Sequence, residues 1–374
     1  MDKQMVSHYG WIIVTTLITT VMLLLATPFG HYVGTGMINT TDGFIDVSDE
    51  VLSDENMENK EEGWENKFTE LYSKPDVHKD IIPTGGTYYI GVTSTDIKST
   101  AGYTEKLISG QQFPTPQTGD VYQYGHYLYR YNCIKEQNPD GTFFWKEQNI
   151  NGWALTTINK RNTYYSPLAS INNKKVVSAR YSFHKNYQLK TSPVLPDSIT
   201  DMYGAFSYCH ELKTILNIPQ KTVDLSYAFS DCYRLTSVSE IPLTVTKMDR
   251  TFYNCSDLET SPSIPNEVIS LNSTYAKSGI TSAPIIPEKV KDVQQCFSRC
   301  RKLFGDVIIN TNVIENYDKM FDSSAKSSNP DTFIYIKGNI PNSLKSAIGK
   351  TGYNGGQYIY YVTNDGKTLN SKTN

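Results

Sequence analysis

Residues 225–258 read LSYAFSDCYRLTSVSEIPLTVTKMDRTFYNCSDL, and this stretch repeats its pattern after 23 positions. Three matched pairs show the register: Phe229 and Phe252, Cys232 and Cys255, Leu235 and Leu258. A fixed period of about 20 to 50 residues is the signature of stacked repeats, in which each unit buries its apolar face only against its neighbours. The stretch therefore predicts a solenoid.

The same register extends over residues 176–339. An aromatic residue recurs in seven units at intervals of 23, 23, 23, 23, 22 and 24 residues: Phe183, Phe206, Phe229, Phe252, Tyr275, Phe297 and Phe321. Three residues later stand Cys209, Cys232, Cys255 and Cys300, with Asn186, Ser278 and Ser324 in the other units. Leucine follows the aromatic at six residues in five units, and a proline closes five of them. We expect these columns to form buried structural ladders.

The units YAFSDCYRLTSVSEIP and TFYNCSDLETSPSIP are similar to the BspA-type leucine-rich repeat, which reads approximately AFxxCxxLxxIxIPxxVxxI. That resemblance implies a right-handed solenoid of short strands, found on bacterial surfaces and associated with adhesion and protein binding. The pattern departs from the family at Ser278–Ile280, where a unit is shortened, and after Phe321, where the leucine is lost.

The C-terminal residues 340–374 are expected to cap the last coil. The stretch from Pro341 to Ile348 has a helical pattern, and QYIYYVTNDGKTL predicts a hairpin around Asn364-Asp365-Gly366. A cap of this kind would cover the apolar face that the last repeat leaves open.

Residues 78–165 carry a different pattern and predict a small, Tyr-rich, all-β module. Short aromatic and β-branched runs are bounded by Gly, Pro, Asn and Asp. Tyr127, Tyr129 and Tyr131 alternate with other residues, so they are expected to share one face of a strand. The sequence from Asn138 to Gly141 reads NPDG and predicts a turn.

The order GDVYQYGHYLYRYN, then Trp145, then NGW resembles the small chitin-binding modules of secreted glycosidases. The resemblance implies ligand-binding rings that stack on sugar faces, for which the candidates are Tyr124, Tyr127, Trp145 and Trp153. The alternative interpretation is that these rings form the module's own core and cross-strand pairs.

The N-terminal residues 1–36 contain an uncharged apolar run, Trp11–Phe29. At 1.5 Å per residue this run is about 28 Å long as a helix, close to the hydrocarbon thickness of a bilayer. It predicts a membrane anchor, followed at residues 37–77 by an acidic helical stalk. Lys3 favours an N-terminus inside the cell and a C-terminal ectodomain outside.

Two other interpretations of the N-terminus stay open. A cleaved signal peptide is the first, although no A-x-A cleavage signal follows the apolar run. The second is a pilin-like leader, because an apolar run follows Gly10 directly, with Thr15 where such leaders carry Glu.

Composition and motifs exclude several classes of function. The net charge is −3, which argues against a nucleic-acid-binding protein. The sequence has no G-x-S-x-G, H-E-x-x-H, P-loop or dinucleotide motif, and its six His and six Cys show no metal-ligand spacing. We therefore expect no enzyme activity, no cofactor and no metal.

The sequence as a whole predicts a mainly β protein: a leucine-rich-repeat solenoid with a small all-β module and an N-terminal transmembrane helix. The expected function is non-catalytic recognition or adhesion at the bacterial cell membrane, as a single-pass protein that binds a protein or glycan ligand. The alternatives are a carbohydrate-binding surface protein and a pilin-like structural subunit.

Overall fold

The computed structural model describes residues 81–91, 104–162, 164–311, 313–324, 333–338, 340, 342–349, 356–362 and 368–370. All of them lie in one compact unit, Lys74–Asn374. The predicted anchor (1–36) lies outside the described residues, as does the predicted acidic stalk (37–77). Within the described part, no helix is both long and apolar enough to cross a bilayer.

The Tyr-rich region folds into a sheet and a separate hairpin. Its strands, with the two that follow, are β1 (Thr87–Ile90), β2 (Glu105–Ile108), β3 (Val121–Tyr124), β4 (Tyr127–Tyr131), β5 (Cys133–Gln137), β6 (Phe143–Glu147), β7 (Trp153–Thr157), β8 (Ser170–Ile171) and β9 (Lys174–Ser178). Seven of them form one sheet in the order β2-β1-β3-β4-β7-β9-β8, while β5 pairs with β6. The turn predicted between β5 and β6 is present, with Gly141 at a φ of 86°.

Strand β4 lies in the middle of this sheet and is buried on both faces. Tyr127, Tyr129 and Tyr131 all belong to the main core, as the period-two spacing predicts. Leu128, between two of them, packs instead in a small cluster with Tyr89 and Val121.

The sheet of the module continues into the solenoid. Strand β7 pairs in parallel with β9, and Ser178 at the end of β9 forms a parallel bridge with Asp201 of the next coil. The rings of Tyr127 and Tyr164 lie 6.4 and 5.3 Å from the ring of Phe183. The module thus covers the apolar end of the first coil, and the sheet crosses the sequence boundary expected between residues 165 and 176.

The aromatic column runs through the core as a stack of rings. Successive ring centroids lie 4.8 to 5.9 Å apart, and the planes of neighbouring rings differ by 6° to 21°. All seven rings, from Phe183 to Phe321, are fully buried. The coil that contains Phe183 is coil 1, and the coil that contains Phe321 is coil 7. The position of any other residue is given as an offset, which is the number of residues before (−) or after (+) the ring residue of its coil.

Backbone hydrogen bonds join each coil to the next through alternate residues. In coil 1 the amides of Ala179, Tyr181, Phe183 and Lys185 donate to carbonyl oxygens of coil 2 at 2.8 to 3.0 Å. Amides between them close tight turns within the coil, as Ser182 N–H donates to Ala179 O at 3.0 Å. Buried amide groups need hydrogen-bond acceptors. Alternate amides find them in the next coil, and the amides between them find them within their own coil.

The alternation requires left-handed backbone at two offsets, −2 and +2, in every coil. The residues there have φ between 51° and 62°: Tyr181, Gly204, Tyr227, Arg250, Ser273, Gln295 and Lys319 at −2, and Lys185, Tyr208, Asp231, Asn254, Lys277, Arg299 and Ser323 at +2. Only one of these fourteen is glycine. Each non-glycine residue in this conformation costs about 1 kcal/mol, which the hydrogen bonds between coils offset.

The thiols at offset +3 also bond between coils. Cys209 Sγ donates to Phe183 O at 3.2 Å, and Cys232 and Cys255 repeat the contact with the aromatic residue one coil earlier at 3.2 and 3.1 Å. Cys300 does the same with Tyr275 O at 2.9 Å. Serine can replace cysteine in this column because it is also small and carries a polar hydrogen: Ser324 Oγ in coil 7 donates to Phe297 O, and Ser278 Oγ in coil 5 lies 3.6 Å from Cys300 Sγ.

The shortened unit of coil 5 has a structural reason. A Cβ atom at Gly279 would lie 2.0 Å from Ser256 O, so the backbones of coils 4 and 5 approach too closely for any other residue. Gly279 N–H donates to Cys255 O at 3.0 Å. Tyr275 and Phe297, on either side of the missing residue, still stack with their ring centroids 5.9 Å apart.

The C-terminal cap is a second sheet. It contains β10 (Gly305–Ile309), β11 (Ile334–Gly338), β12 (Ile359–Val362) and β13 (Thr368–Asn370), in that order. The first three are parallel, and β13 returns antiparallel to β12, which confirms the predicted hairpin. The predicted helix is present as α1 (Asn342–Gly349). The sheet begins earlier than the expected cap because β10 already continues the coil pairing through the Ile286–Ile309 bridge.

One buried column offers a direct test of this packing. Three residues after the prolines stand Ile199, Thr222, Val245, Val268 and Val290, all fully buried. The Thr222 hydroxyl has no hydrogen-bond partner. We expect Thr222→Val to raise the free energy of unfolding by about 1 kcal/mol, because it removes a buried unsatisfied hydroxyl at constant volume. Equilibrium urea unfolding of the full-length protein measures it.

Thr251→Val is the matched control for this change. Thr251 is equally buried, but its hydroxyl lies 2.8 Å from Met248 O and 3.0 Å from Leu225 O. We expect this variant to lower the free energy of unfolding by roughly 1 to 2 kcal/mol. Equal effects of the two substitutions on the free energy of unfolding would contradict the assignment of the Thr222 hydroxyl as unpaired and of the Thr251 hydroxyl as hydrogen-bonded.

Candidate binding surface

Two of the four sequence-predicted ligand-binding rings lie in the core. Trp153 is fully buried, its ring meets those of Tyr88 and Tyr131 edge-on, and its indole N–H donates to Ile171 O at 3.2 Å. Tyr127 is 4% exposed and packs against Phe183. Neither ring face is open to a ligand, so the structure replaces the binding interpretation with the core interpretation at these two positions.

Tyr124 and Trp145 are half-buried and lie on different sheets. Tyr124 ends β3 and stacks on Tyr122, with ring centroids 6.2 Å apart. Trp145 lies in the β5–β6 hairpin, with the Arg130 guanidinium 5.7 Å from its ring. The four predicted residues therefore do not converge on one platform.

The predicted ladder residues lie in the core and expose no reactive group. Burial raises the pKa of the Cys209 and Cys300 thiols to about 12, and also raises the pKa of the Cys232, Cys255 and Cys296 thiols. Nucleophilic chemistry requires a thiolate, so these thiols are inert near neutral pH. No group of three or more His, Cys, Asp or Glu in the described part of the chain could hold a metal ion.

A cluster of exposed and half-buried rings lies beside the buried ring stack on coils 1 to 4. We call it the tyrosine face; its members are Tyr187, Tyr203, Tyr208, Tyr227, Tyr233, Tyr253 and His210. All of them lie within four residues of the buried aromatic of their coil. The sequence analysis missed this surface, although the offsets of these tyrosines from the repeat column were readable.

The rings of the tyrosine face pack on one another across coils. His210 lies between Tyr187 and Tyr233, with centroids 4.7 and 4.5 Å away, and Tyr203 lies 5.3 Å from Tyr227. The Arg180 guanidinium lies 3.9 Å from the centre of the Tyr203 ring. Because neighbours cover the faces of His210 and Tyr203, ring edges and hydroxyl groups are left for a partner.

Cationic side chains extend this surface along the solenoid. Arg250 lies 5.6 Å from the ring of Tyr227 and 5.4 Å from that of Tyr253. Lys277 lies 4.7 Å from the Tyr253 ring and donates to its hydroxyl. Each cation is thereby held against an aromatic ring of the preceding coil, and Arg250 also against Tyr253 of its own coil.

A buried lysine lies where the module meets coil 1. Lys135 Nζ donates to Thr156 Oγ1 at 3.0 Å and to Tyr181 O at 3.2 Å, and lies 4.9 Å from the centre of the Phe143 ring. Burial, with a smaller contribution from the charge of Lys160, lowers the pKa of Lys135 to about 7. Lys135 therefore links the β5–β6 hairpin to the first coil through hydrogen bonds to uncharged oxygen atoms, and not through an ion pair.

His184 lies beside this lysine and is neutral. Its Nδ1 is 2.6 Å from Ser207 Oγ, whose own hydrogen is donated to Gly204 O at 2.8 Å, so Nδ1 carries the proton. Nε2 is buried without a hydrogen-bond partner. Burial, followed by the charges of Lys185, Lys160 and Lys135, lowers the pKa of His184 to about 3.

Comparison with known proteins agrees with the repeat assignment. Residues 176–303 match the family model of the BspA type leucine rich repeat region, in six copies, which confirms the resemblance over that part of the chain. No curated protein matches the chain.

Two solved structures are similar to the chain at low identity. The crystal structure of a leucine rich repeat protein of T. pallidum is 20% identical, covers 59% of this chain and 94% of that chain, and gives a TM-score of 0.38. A leucine-rich repeat protein from Bacteroides ovatus is 17% identical, covers 55% of this chain and 70% of that chain, and gives a TM-score of 0.21.

The state of His184 predicts a pH dependence of stability. In the unfolded chain its pKa returns to about 6.5. Between pH 6.5 and 3 the unfolded chain therefore binds more protons than the folded one, so stability falls as the pH falls through this window. From pH 7.5 to pH 4.5 we expect the wild type to lose about 2 kcal/mol more than His184→Phe, which cannot titrate.

Urea unfolding at the two pH values measures this difference. His126→Phe is the control, because His126 is only partly buried and its ring lies beside Arg161 at the surface. If the free energy of unfolding changed with pH in the same way in the wild type and in His184→Phe, the lowered pKa of His184 would be contradicted.

Proposed function

We propose that this chain is a non-catalytic recognition protein of the bacterial cell surface, which binds other proteins through the tyrosine face of its leucine-rich-repeat solenoid. The BspA-type repeat match supports the general role of the solenoid as a protein-interaction surface. The assignment of binding to the tyrosine face in particular rests on the following observation.

One observation carries the proposal: the extra aromatics are confined to coils 1 to 4. At the same five offsets (−3, −2, +1, +2 and +4) coils 5 and 6 carry no aromatic residue. The residues there are Asn272, Ser273, Ala276, Lys277, Gly279, Gln294, Gln295, Ser298, Arg299 and Arg301. The same ring stack and the same hydrogen bonds form there without them. The tyrosines are therefore not required by the repeat, and a binding role explains them.

The composition of the face fits a protein partner. Tyrosine, arginine and histidine edges beside serine and asparagine resemble the surfaces on which binding hot spots occur. Tyr187 and Tyr208 are 48% and 40% exposed, so their rings have area left to bury. A glycan partner is less suited to His210 and Tyr203, because stacking on sugars needs an open ring face and neighbouring groups cover theirs.

The carbohydrate-binding alternative placed its ligand on the β module. Two of its four rings are core residues, and the other two lie on separate sheets. No feature of the described module therefore favours that alternative. The pilin-like alternative rests on residues outside the described part of the chain and stays a prediction.

The cell-surface assignment rests on the uncharged run Trp11–Phe29 and on Lys3 before it. In this proposal the run is a single-pass membrane anchor, and the solenoid lies outside the cell. Protease treatment of intact cells is expected to release a fragment that begins after residue 40. Complete resistance of the chain in intact cells, with digestion after lysis, would overturn this assignment.

Photo-crosslinking tests the proposed face. With p-benzoylphenylalanine at Tyr208 of the full-length protein in its native host, we expect a light-dependent covalent adduct with another protein. The matched control carries the same group at Leu243, which is 80% exposed and follows the proline column. Both variants should keep the wild-type unfolding transition.

The decisive result is the dependence on position. Adducts from Tyr208, Tyr187 or Tyr233 but not from Leu243 would support the proposal. An equal yield from Leu243, or no protein adduct from any of the three tyrosine positions, would overturn it.

A further inference from the structure

Three of the five offsets that carry the tyrosine face also carry a line of cations. At −2, +2 and +4 the seven coils place six of them: Lys185, Arg250, Lys277, Arg299, Arg301 and Lys319. The carboxylate at these three offsets is Asp231, which is 7% exposed. The other two offsets of the face, −3 and +1, add Arg180 and the carboxylates Asp249, Asp318 and Asp322. Over all five offsets seven Lys or Arg stand against four Asp, an excess of three positive charges on a chain whose net charge is −3.

The carboxylate at these three offsets is already hydrogen-bonded. Asp231 accepts hydrogen bonds from Ser230 Oγ at 2.8 Å and from Asn254 Nδ2 at 2.7 Å. It is therefore held by its neighbours in coils 3 and 4, and within the described residues it forms no ion pair with a cation of the face.

The cations themselves have no ion-pair partner within the described residues. Elsewhere on the solenoid Lys247, Lys289, Lys291 and Lys302 each lie 2.6 to 3.6 Å from a carboxylate oxygen. None of the six cations of the face takes part in such a pair in the part of the chain that the structure describes. Their charges are thus available to a partner.

We infer that the partner of the tyrosine face is an acidic polypeptide segment, whose apolar and aromatic side chains contact the tyrosines of coils 1 to 4 while its carboxylates pair with the cations that continue to coil 6. This inference rests on the proposed function. Charge complementarity of this kind steers association and selects the partner.

The spacing of the cations suits a polypeptide. Lys277 and Arg299 stand at the same offset, +2, on coils 5 and 6, whose ring centroids are 5.9 Å apart, and Arg250 stands at offset −2 on coil 4. Alternate residues of an extended strand are about 6.6 Å apart, and residues four apart on a helix rise about 6 Å. Glutamate or aspartate at either spacing can meet one cation per coil, with bidentate pairing at the arginines.

Binding of poly-L-glutamate to the full-length protein tests the inference. The face variant combines Lys277→Gln, Arg299→Gln and Arg301→Gln. The control variant combines Lys289→Gln, Lys291→Gln and Lys337→Gln, which removes the same charge from cations that already have carboxylate partners. We expect the face variant to bind at least tenfold more weakly than the wild type, and the control less than twofold more weakly.

A second readout uses the photo-crosslink at Tyr208. Poly-L-glutamate in solution should reduce the adduct at least fivefold, and the face substitutions should reduce it to a similar extent. An adduct that neither treatment changes would overturn the acidic partner while leaving protein recognition at the tyrosine face intact. Loss of position dependence in the wild type would instead overturn the proposed function.

Binding of a sulfated polysaccharide tests whether the face recognises anionic glycans and not an acidic polypeptide. If heparin binds the face more tightly than poly-L-glutamate and the face variant loses that binding, the surface recognises anionic glycans and the inference is overturned. Equal effects of the face and control variants on poly-L-glutamate binding would also overturn it, because the attraction would then be a property of net charge alone.

Discussion

The stack of seven rings is the constraint on which the rest of the solenoid depends. Neighbouring rings lie within 6 Å of each other and nearly parallel, so each coil must return its aromatic residue to the same axis. A slip of one residue would move the ring out of the stack and a polar neighbour into it. The axis is kept even where a coil is one residue short, since Tyr275 and Phe297 stack at 5.9 Å across an interval of 22 residues.

The same constraint shapes the surface. Alternate amides must reach the next coil, and this requires left-handed backbone at offsets −2 and +2. Tyr208, Tyr227 and Arg250 occupy those positions, so the hydrogen bonding of the core determines where side chains of the proposed binding face are displayed. The repeat holds the backbone of the face rigidly while its side chains vary from coil to coil, which is the arrangement that suits recognition.

The junction with the module adds a different kind of stabilisation. The sheet passes from β7 through β9 into the coil ladder, and the first ring of the stack is covered by module tyrosines. Yet two titratable groups, Lys135 and His184, are buried there without a carboxylate partner. Both bind protons more weakly in the folded protein than in the unfolded chain, so protonation of either group destabilises the junction.

The sequence alone determined the features whose spacing is local. The columns of Phe, Cys and Leu were predictable because coil stacking repeats along the chain itself, and the shared face of Tyr127, Tyr129 and Tyr131 followed from the period of a strand. Only the tertiary structure decided which rings meet solvent. Trp153 and Tyr208 each stand between two small residues in sequence, but Trp153 belongs to a sheet that later strands complete, and Tyr208 is 40% exposed beside the buried ring stack. Burial depends on contacts between residues far apart in sequence, which no local pattern records.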